Sequence, residues 1–488
     1  MRHQGFTLSR RPLVPIAVAV AIATMSVTAT LATPVLVTPA QGAVPGRTSG
    51  TSPVVWQPTQ LPVPTGALRD RAGYAGPIAC PKVGGCVVLG EYATAAGTDE
   101  DLIDTETAGL WSSAVAPLPP GGTAAANLGP YTLGCTGVGF CLGTSLYQTA
   151  TSVAPEILEE NGGRWTALAM PMPTNASRSR IPSVGAMACP LRGACVIVGT
   201  YDTTSGLSEG FVVTQESRRF VAVEAPIPAG PRRDSSLAGV SCSTATFCLA
   251  VGYFVAASGS REALAVSDAT GTLAASPAVL LPSGANARPQ AVLQSVSCGR
   301  SSPCVALGGY NDAAGDRFGV IDTESNGTWT VRKMPSPPGA RTASPSPRIF
   351  GITCKAGNYC LAVGQYVDAT GTLQGLALLE EAGHWSASMM PATLDSNVVV
   401  RAVACINDTH CAAAGSLGTG TGGQAGYLMT LSGSSLSGTV APVPANAALL
   451  PDVQLGYVAC PWIATCVASS TYEAAGTTGA QLPLAVSD

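Results

Sequence analysis

The sixteen cysteines of this 488-residue chain form eight pairs that share one spacing. Five residues separate the two members of every pair, and the pairs recur at intervals of 51 to 56 residues. A fixed repeat of this length is typical of a solenoid, a propeller or an array. The pairs are Cys80/Cys86, Cys135/Cys141, Cys189/Cys195, Cys242/Cys248, Cys298/Cys304, Cys354/Cys360, Cys405/Cys411 and Cys460/Cys466. The chain therefore consists of eight copies of one unit.

Aligned on their cysteines, the units share a pattern of four short strands. A small residue stands four positions after the second cysteine and a large one six after it, as in Gly252 and Phe254. Short apolar segments flank each pair, so the two cysteines are predicted to face each other across a β-hairpin, within disulfide reach. An apolar residue such as Trp165 then opens a fourth strand, which ends at prolines such as Pro171. Four strands per unit predict a propeller blade.

The two ends of the chain contain complementary parts of one unit. The last unit stops at Asp488, after its third strand, whereas Trp56 and Pro62 near the other end have the spacing of a fourth strand. We therefore predict an all-β, eight-bladed propeller over residues 53–488, whose last blade is completed by the N-terminal strand. Closing the ring in this way removes exposed sheet edges.

The N-terminal segment is predicted to direct export. Three arginines precede an uncharged run from Leu13 to Leu31, and a small-residue cleavage site follows at Ala40 to Gly42. This pattern is typical of a signal peptide, here residues 1–43, followed by a linker at 44–52. The alternative is that the segment stays uncleaved as a membrane anchor. Because disulfides persist in oxidising compartments, the paired cysteines also favour a secreted or cell-envelope protein.

Composition narrows the partners that the chain can have. Only 11% of its residues are charged, and without the predicted signal the formal net charge is −7. A net acidic chain does not favour nucleic-acid binding. No segment after the signal is long and apolar enough to span a bilayer. We expect a monomer that binds neither nucleic acid nor, unless the signal is retained, a membrane.

The turn between the third and fourth strands carries a recurring acid, glycine and aromatic residue. In the fifth unit these are Glu324, Gly327 and Trp329. The carboxylate can accept turn N–H groups, and glycine can adopt a positive φ. The pattern resembles the Asp-box of sialidase-like propellers, although its glycine is displaced by one position. The resemblance implies a propeller with a structural turn between its outer strands, and it raises a sialidase-like enzyme as an alternative function.

Catalytic and metal-binding signals are sparse. The chain after the signal has two histidines, His384 and His410, both expected at the surface, and the cysteine spacing does not fit a zinc site. We expect no metal and no cofactor. The acids that follow Tyr92 are predicted to occupy a solvated loop. They are Asp99, Glu100, Asp101 and Asp104.

Arginine is the one residue type whose distribution suggests a ligand. Ten arginines lie in the connections from a fourth strand to the next first strand: Arg69, Arg71, Arg178, Arg180, Arg232, Arg233, Arg288, Arg341, Arg348 and Arg401. In a propeller these connections emerge on one face, around the channel. Guanidinium groups bind carboxylates, sulfates and phosphates. Six are predicted to bind a ligand: Arg71, Arg180, Arg233, Arg288, Arg348 and Arg401. The alternative is that arginines solubilise the loops and pair with acids such as Asp70 and Asp234.

Two functions fit an exported propeller with an arginine-rich face. The preferred one is an extracellular recognition or scaffold protein that binds a glycan, an envelope polymer or a protein through the arginine face. The alternative is a sialidase-like glycoside hydrolase or a polysaccharide lyase, with arginines on a substrate carboxylate and a tyrosine or an acid as nucleophile or base. A tyrosine recurs at the same place in six of the eight units, which favours a packing role over a unique nucleophile.

Overall fold

The computed structural model describes residues 54–68, 73–124, 129–228, 234–269, 272–275, 279–299, 303–355, 359–391, 397–419, 423–461, 465–476 and 481–488. Within these residues the chain forms 33 β-strands and no helix. A helix able to span a membrane is accordingly not found among the described residues. The strands form eight sheets. The predicted signal 1–43 and linker 44–52 lie outside the described residues.

Each sheet is one blade, and its strands are named A to D in the order in which they pair. The first strand of the chain, β1 (Gln57–Gln60), belongs to the last blade. Blade 1 contains β2 (Tyr74–Lys82), β3 (Gly85–Ala93), β4 (Asp99–Thr107) and β5 (Leu110–Val115). Blade 2 contains β6 (Thr123–Ala124), β7 (Thr132–Gly137), β8 (Phe140–Gln148), β9 (Val153–Asn161) and β10 (Arg164–Ala169), and both β6 and β7 pair with β8. Blade 3 contains β11 (Ser183–Ala188), β12 (Val196–Asp202), β13 (Ser208–Glu216) and β14 (Arg219–Glu224).

The remaining blades repeat the same order. Blade 4 contains β15 (Ser235–Thr244), β16 (Phe247–Val255), β17 (Arg261–Ala269) and β18 (Thr272–Ala275). Blade 5 contains β19 (Val292–Cys298), β20 (Cys304–Asn311), β21 (Arg317–Ser325) and β22 (Thr328–Lys333). Blade 6 contains β23 (Arg348–Lys355), β24 (Tyr359–Val367), β25 (Leu373–Glu381) and β26 (His384–Met389). Blade 7 contains β27 (Val398–Asn407), β28 (His410–Gly418), β29 (Gln424–Ser432) and β30 (Ser435–Val440). Blade 8 contains β31 (Tyr457–Ala459), β32 (Val467–Glu473), β33 (Gln481–Ser487) and β1.

The blades are arranged in a closed ring. Strand A of every blade contacts strand A of both neighbouring blades, from blade 1 round to blade 8 and back to blade 1. Strand A therefore lines a central channel, and strand D lies at the outer edge. This arrangement confirms the predicted eight-bladed propeller of four-stranded blades.

The N-terminal strand closes the last blade, as predicted. β1 pairs antiparallel with β33, with Gln57 opposite Ser487. The residues on either side of this short strand are buried, since Trp56 is 6% exposed and Leu61 is fully buried. Trp56 packs in a cluster that includes Leu428 of blade 7, so the closing strand also contributes to an interface between blades.

The two ends of the channel are formed by different connections between strands. At one end the D-to-A connection of a blade bridges to its B-to-C turn, as Ala67 does to Thr94 and Ala285 to Asp312. We call this end the loop face. At the other end the A–B and C–D hairpins meet, as where the backbone N–H of Ala108 donates to the carbonyl of Gly84 at 2.9 Å. This end carries the cysteine pairs, and we call it the disulfide face.

All eight predicted disulfides are formed, which confirms the pairing inferred from the repeat. They are Cys80–Cys86, Cys135–Cys141, Cys189–Cys195, Cys242–Cys248, Cys298–Cys304, Cys354–Cys360, Cys405–Cys411 and Cys460–Cys466. The Cα atoms of each pair are 3.9 to 4.1 Å apart. Each bond joins the two arms of one A–B hairpin, so it stabilises a blade without linking it to its neighbours. For a loop this short, the chain-entropy model gives roughly 2 kcal/mol per disulfide.

The two cysteines face each other across the A–B hairpin in every blade, as predicted, although only five pairs are direct partners in the strand register. In blades 2, 4, 5, 6 and 7 the two cysteines are direct partners in the strand register. In blade 1 the register shifts between Ala79 and Lys82, so Cys80 and Cys86 are not ladder partners. In blades 3 and 8 both cysteines lie just beyond the ends of their strands. There the disulfide extends the hairpin past its last backbone pair.

The cysteines lie deeper than residues at the tip of a surface hairpin would. The second member of every pair is buried: Cys86, Cys141, Cys195, Cys248, Cys304, Cys360, Cys411 and Cys466. Of the first members, Cys354 and Cys405 are buried and the other six are half-buried. The buried sulfurs pack against the preceding blade, as Cys248 does in a cluster with Val196 and Cys411 in one with Leu361. These residues are therefore part of the core between blades rather than of a ligand-binding surface.

Candidate functional site

Of the predicted arginines that the structure describes, four lie in D-to-A connections on the loop face, whereas Arg348 and Arg401 lie on strand A itself. Arg178, Arg180, Arg288, Arg341, Arg348 and Arg401 are all exposed. The other four, Arg69, Arg71, Arg232 and Arg233, lie outside the described residues. Arg180 has an acidic partner, with its Nε 3.9 Å from the Asp202 carboxylate, and its side chain remains 72% exposed. An exposed pair of this kind stabilises a fold by at most about 1 kcal/mol.

Strand A carries a β-bulge in most blades, and the bulges decide which side chains stand out on the channel wall. The bulged residue lies four positions before the first cysteine. In blades 5, 6 and 7 it is Gln294, Phe350 and Arg401. Arg348 lies beside this group, with its guanidinium carbon 5.2 Å from the centre of the Phe350 ring. Because a bulge redirects a side chain, two of the predicted arginines stand on or next to the redirected positions.

Two tyrosines extend this group across blades 8 and 1. Tyr74 opens strand A of blade 1, and Tyr457 lies on strand A of blade 8. Burial raises the pKa of the Tyr74 hydroxyl, as do the adjacent Tyr457 and the Glu91 carboxyl, whereas the Arg401 guanidinium lowers it. Arg401 belongs to blade 7, so its influence on blade 1 reaches past blade 8. Tyr74 remains 37% exposed, which leaves it accessible to a ligand.

Tyr74 begins a polar row that crosses blade 1. It lies opposite Glu91 of strand B, which lies opposite Asp101 of strand C, so the three side chains share one face of the sheet. In the other seven blades the position of Asp101 holds glycine, alanine or proline: Pro155, Gly210, Ala263, Gly319, Gly375, Gly426 and Pro483. Burial raises the pKa of Asp101 to about 7, with a further contribution from Glu91 and an opposing one from Ser145.

A second acid meets this row from blade 2. Glu156 is fully buried on strand C, opposite Ser145 of strand B. The same position holds a large apolar residue in the other seven blades: Leu102, Phe211, Leu264, Val320, Leu376, Tyr427 and Leu484. Burial, and then the nearby Asp101, raises the pKa of Glu156 to about 8. Neither carboxylate oxygen of Glu156 has a hydrogen-bond partner among the described residues.

The prediction of a solvated loop after Tyr92 is wrong. Asp99, Glu100, Asp101 and Asp104 lie within strand C of blade 1, and Asp104 is fully buried. The Tyr92 hydroxyl donates to Glu100 at 2.6 Å. Both faces of this strand pack against neighbouring blades, so its residues do not alternate between polar and apolar. Four acids among six residues therefore indicated a loop instead of a strand.

Three further interpretations, those of the recurring tyrosine, the outer turn and the two histidines, are confirmed. The recurring tyrosine is buried, and Tyr310 and Tyr366 are among the largest fully buried side chains. In the outer turn of blade 5, the N–H of Gly327 donates to the Glu324 carboxylate at 2.6 Å, and Gly327 has a φ of 80°. Both histidines are exposed. Among the described residues, no three His, Cys, Asp or Glu side chains are placed to hold a metal ion.

Comparison with known proteins gives structural neighbours of low similarity. No protein-family model matches the chain, and no curated protein sequence matches it. Trypanosoma rangeli sialidase is 11% identical, with a TM-score of 0.35, over 78% of this chain and 56% of its own. YCF48 from Cyanidioschyzon merolae is 13% identical, with a TM-score of 0.38, over 88% of this chain and 98% of its own. At these values the similarity carries no information about the ligand or the reaction of this chain.

The channel mouth on the loop face therefore combines three kinds of group. Arg401 provides a cation that can bind an anion through paired N–H groups. Tyr74 and Tyr457 provide aromatic surface and hydroxyl groups. Glu91 provides a carboxyl group, and the Asp101 carboxyl opposite it has a pKa that burial raises to about 7. Glu156 is fully buried and so is not part of the mouth. The arrangement can bind an acidic, hydroxyl-rich molecule, and it has groups that could transfer a proton.

Proposed function

We propose that this protein is a secreted recognition propeller that binds an anionic glycan or envelope polymer at the mouth of its channel, on the loop face. The observation that carries the proposal is the position of Arg401. This arginine occupies the bulge of the channel-lining strand of blade 7, within electrostatic range of Tyr74. An exposed guanidinium beside aromatic rings suits a sugar polymer that carries carboxylate or sulfate groups.

The disulfides support the extracellular part of the proposal. Every cysteine of the chain is paired, and no free thiol remains. Such a complete set forms and persists in an oxidising compartment. Within each blade it limits unfolding of the hairpin that lies on the disulfide face. The protein would therefore present a durable frame on which the loop face can vary.

Changing Arg401 to alanine is expected to weaken binding to an acidic polysaccharide. A charge-assisted hydrogen bond contributes about 1.5–3 kcal/mol, so we expect roughly 10- to 100-fold weaker binding. The measurement is biolayer interferometry of the mature chain with polygalacturonate and with dextran sulfate, using neutral dextran as the reference ligand. Arg348→Ala is expected to weaken binding less, because Arg348 lies beside the bulge rather than on it.

The matched control is Arg219→Ala. Arg219 is also exposed, but it opens strand D of blade 3 at the disulfide face. Its loss should leave the affinity unchanged. Equal binding by wild type, Arg401→Ala and Arg348→Ala would contradict the proposed ligand site, as would equal binding of neutral dextran.

A second candidate function rests on the two carboxyl groups of the polar row in blade 1, Glu91 and Asp101. Glycosidases place two carboxyl groups on either side of the bond they cleave, and one of them must hold a proton. Glu91 and Asp101 lie directly opposite each other on adjacent strands, and Asp101 keeps its proton near neutral pH. The function to consider is hydrolysis or lyase cleavage of the same acidic polymer.

Glu91→Gln separates the two functions. For an enzyme, we expect this change to abolish release of reducing or unsaturated sugar ends from polygalacturonate while the polymer still binds. Reducing-end and ultraviolet absorbance assays measure the two kinds of product. If wild type releases neither product from any acidic polymer that it binds, the enzymatic candidate is wrong and recognition remains.

A further inference from the structure

The interface between blades 1 and 2 differs from the equivalent interfaces of the ring. In seven blades a large apolar side chain on strand C occupies the position that Glu156 holds in blade 2. On the other side of this interface, Asp101 replaces the glycine, alanine or proline of the other blades. The two substitutions face each other. Leu89 of blade 1 contacts Gly143 of blade 2, and two residues further along the same strands Glu91 and Ser145 lie on the same two faces, opposite Asp101 and Glu156 respectively. We call Asp101 and Glu156, with Glu91 and Ser145, the carboxyl seam.

The groups around the carboxyl seam are acids and hydroxyls, together with one backbone N–H. Blade 1 contributes Glu91, which lies opposite Asp101, and Asp99, which adds to the rise that burial causes in the pKa of Glu91. The backbone N–H of Gly129 donates to Glu91 and lowers its pKa. Blade 2 contributes the Ser145 hydroxyl beside Asp101 and the Tyr147 hydroxyl, whose pKa is raised by burial and then by Glu156. Toward the channel, Tyr74 lies opposite Glu91 and is within electrostatic range of Arg401.

The other half of the same interface is apolar. Leu89 of blade 1 packs against Gly143 of blade 2 so closely that a methyl group at Gly143 would overlap it. Leu158 and Ile103 belong to the same buried cluster. These residues follow the seam acids along strand C, toward the disulfide face. The interface is thus held by hydrocarbon at one end and by carboxyl groups at the other.

Ionisation affects the two halves differently. Protonated carboxyl groups can lie together in a dry interface, whereas two buried carboxylates repel each other and cannot be solvated there. Water must then enter, or the blades must separate. No disulfide crosses the interface, because each one joins strands of the same blade. We infer that the carboxyl seam opens and closes with pH. In acid it is closed, and in alkali blades 1 and 2 separate, beginning at the loop-face end, with the Leu89 contact as the hinge.

Hydrogen exchange measured at pH 6 and pH 9, corrected for intrinsic rates, tests this inference on the whole mature chain. Amides of β8 and β9 should lose protection by roughly tenfold or more at pH 9, which corresponds to about 1.4 kcal/mol of local opening. β4 is left out of this comparison, because it also carries the buried Asp104. The equivalent strands at the interface of blades 7 and 8, β32 and β33, serve as the internal reference, since none of their described residues is a buried acid. They should change markedly less.

Two variants make the result specific. Glu156→Leu installs the kind of residue found in the other blades, and Glu156→Gln removes the ionisable proton while keeping the shape. Both should abolish the alkaline loss of protection at the seam. Glu262→Gln, an acid on strand C of blade 4, should leave it intact. The inference is overturned if wild-type protection at the seam changes no more than at the reference interface, or if the change persists in both Glu156 variants.

Discussion

Replacing Asp322 with leucine is expected to raise the free energy of unfolding by several kcal/mol at pH 8. Asp322 is fully buried on strand C of blade 5, and neither of its carboxylate oxygens has a partner among the described residues. Burial raises its pKa to about 8. Six other blades hold an aliphatic residue or methionine at this position: Leu158, Val213, Val266, Leu378, Met429 and Val486. Leucine should therefore fit the site.

The stability that the leucine variant gains over wild type should increase with pH. The folded state holds the Asp322 proton more tightly than the unfolded state, whose pKa is near the ordinary value of 3.8. Tighter proton binding in the folded state adds to the free energy of unfolding of the wild type. This contribution is complete below about pH 4 and is lost as pH rises to about 8, at about 1.4 kcal/mol per pH unit. At pH 4 the leucine variant should gain only the cost of an unsatisfied neutral carboxyl, about 1–3 kcal/mol.

Urea denaturation at pH 4, 6 and 8 measures both effects. Asp104→Leu is a second test of the same mechanism, because Asp104 occupies the equivalent place in blade 1 and its pKa is raised to about 7, also by burial. Asp408→Leu is the control, since Asp408 is exposed in the A–B hairpin of blade 7. A leucine variant of Asp322 that is no more stable than wild type at pH 8 would show that the buried carboxyl finds a partner there.

Trp56→Ala is expected to lower the free energy of unfolding by about 3–5 kcal/mol, the usual cost of truncating a buried aromatic residue. Trp56 is 6% exposed and fixes the strand that closes the ring. When this strand detaches, β33 becomes an open sheet edge. Thermal and urea unfolding measure the loss. Trp329→Ala is the matched control, because Trp329 is half-buried on strand D of blade 5, and its loss should cost markedly less.

The frame of the protein was predictable because its signals repeat. Eight equal cysteine spacings indicate eight hairpins, and the split of the last unit between Trp56 and Asp488 indicates a closed ring. Turn chemistry was equally local, since Glu324 and Gly327 are three residues apart and interact directly. Each of these inferences depends on contacts within one blade or on a spacing that is constant along the chain.

The depth of the cysteines could not be predicted in the same way. A spacing shows that two cysteines share a hairpin, but it does not show which neighbour the hairpin packs against. Cys86, for example, is buried in a cluster with Val467 and Ala485 of blade 8, nearly 400 residues away in the chain. Cys466 is buried in one with Ala412 of blade 7. Burial of the second cysteine is therefore a property of the ring.

The carboxyl seam was missed because it depends on contacts between blades. The B-to-C turn of blade 2 is one residue shorter than that of blade 3, so counting from the second cysteine places Glu156 out of alignment. Counting back nine residues from the aromatic residue near the start of strand D, which is Trp165, Trp111 or Phe220, would have aligned Glu156 with Leu102 and Phe211. The acids of blade 1 gave no such signal, because their composition resembles that of a solvated loop. For the arginines, only the position in the chain could be predicted. The direction of the Arg401 side chain could not, since the bulge that redirects it is a property of the folded strand.

The pairing of β1 with β33 has a consequence for the connectivity of the chain. Gln57 and Ser487 stand opposite each other at the disulfide-face end of blade 8, where the other blades carry a C–D hairpin. A short turn joining these ends would complete the eighth hairpin, and the chain could then be opened at any of the other seven. Circular permutants cut at Ala108 and Gly109, for example, would use β5 as the strand that closes the ring. We expect such a permutant to keep the same order of blades around the channel.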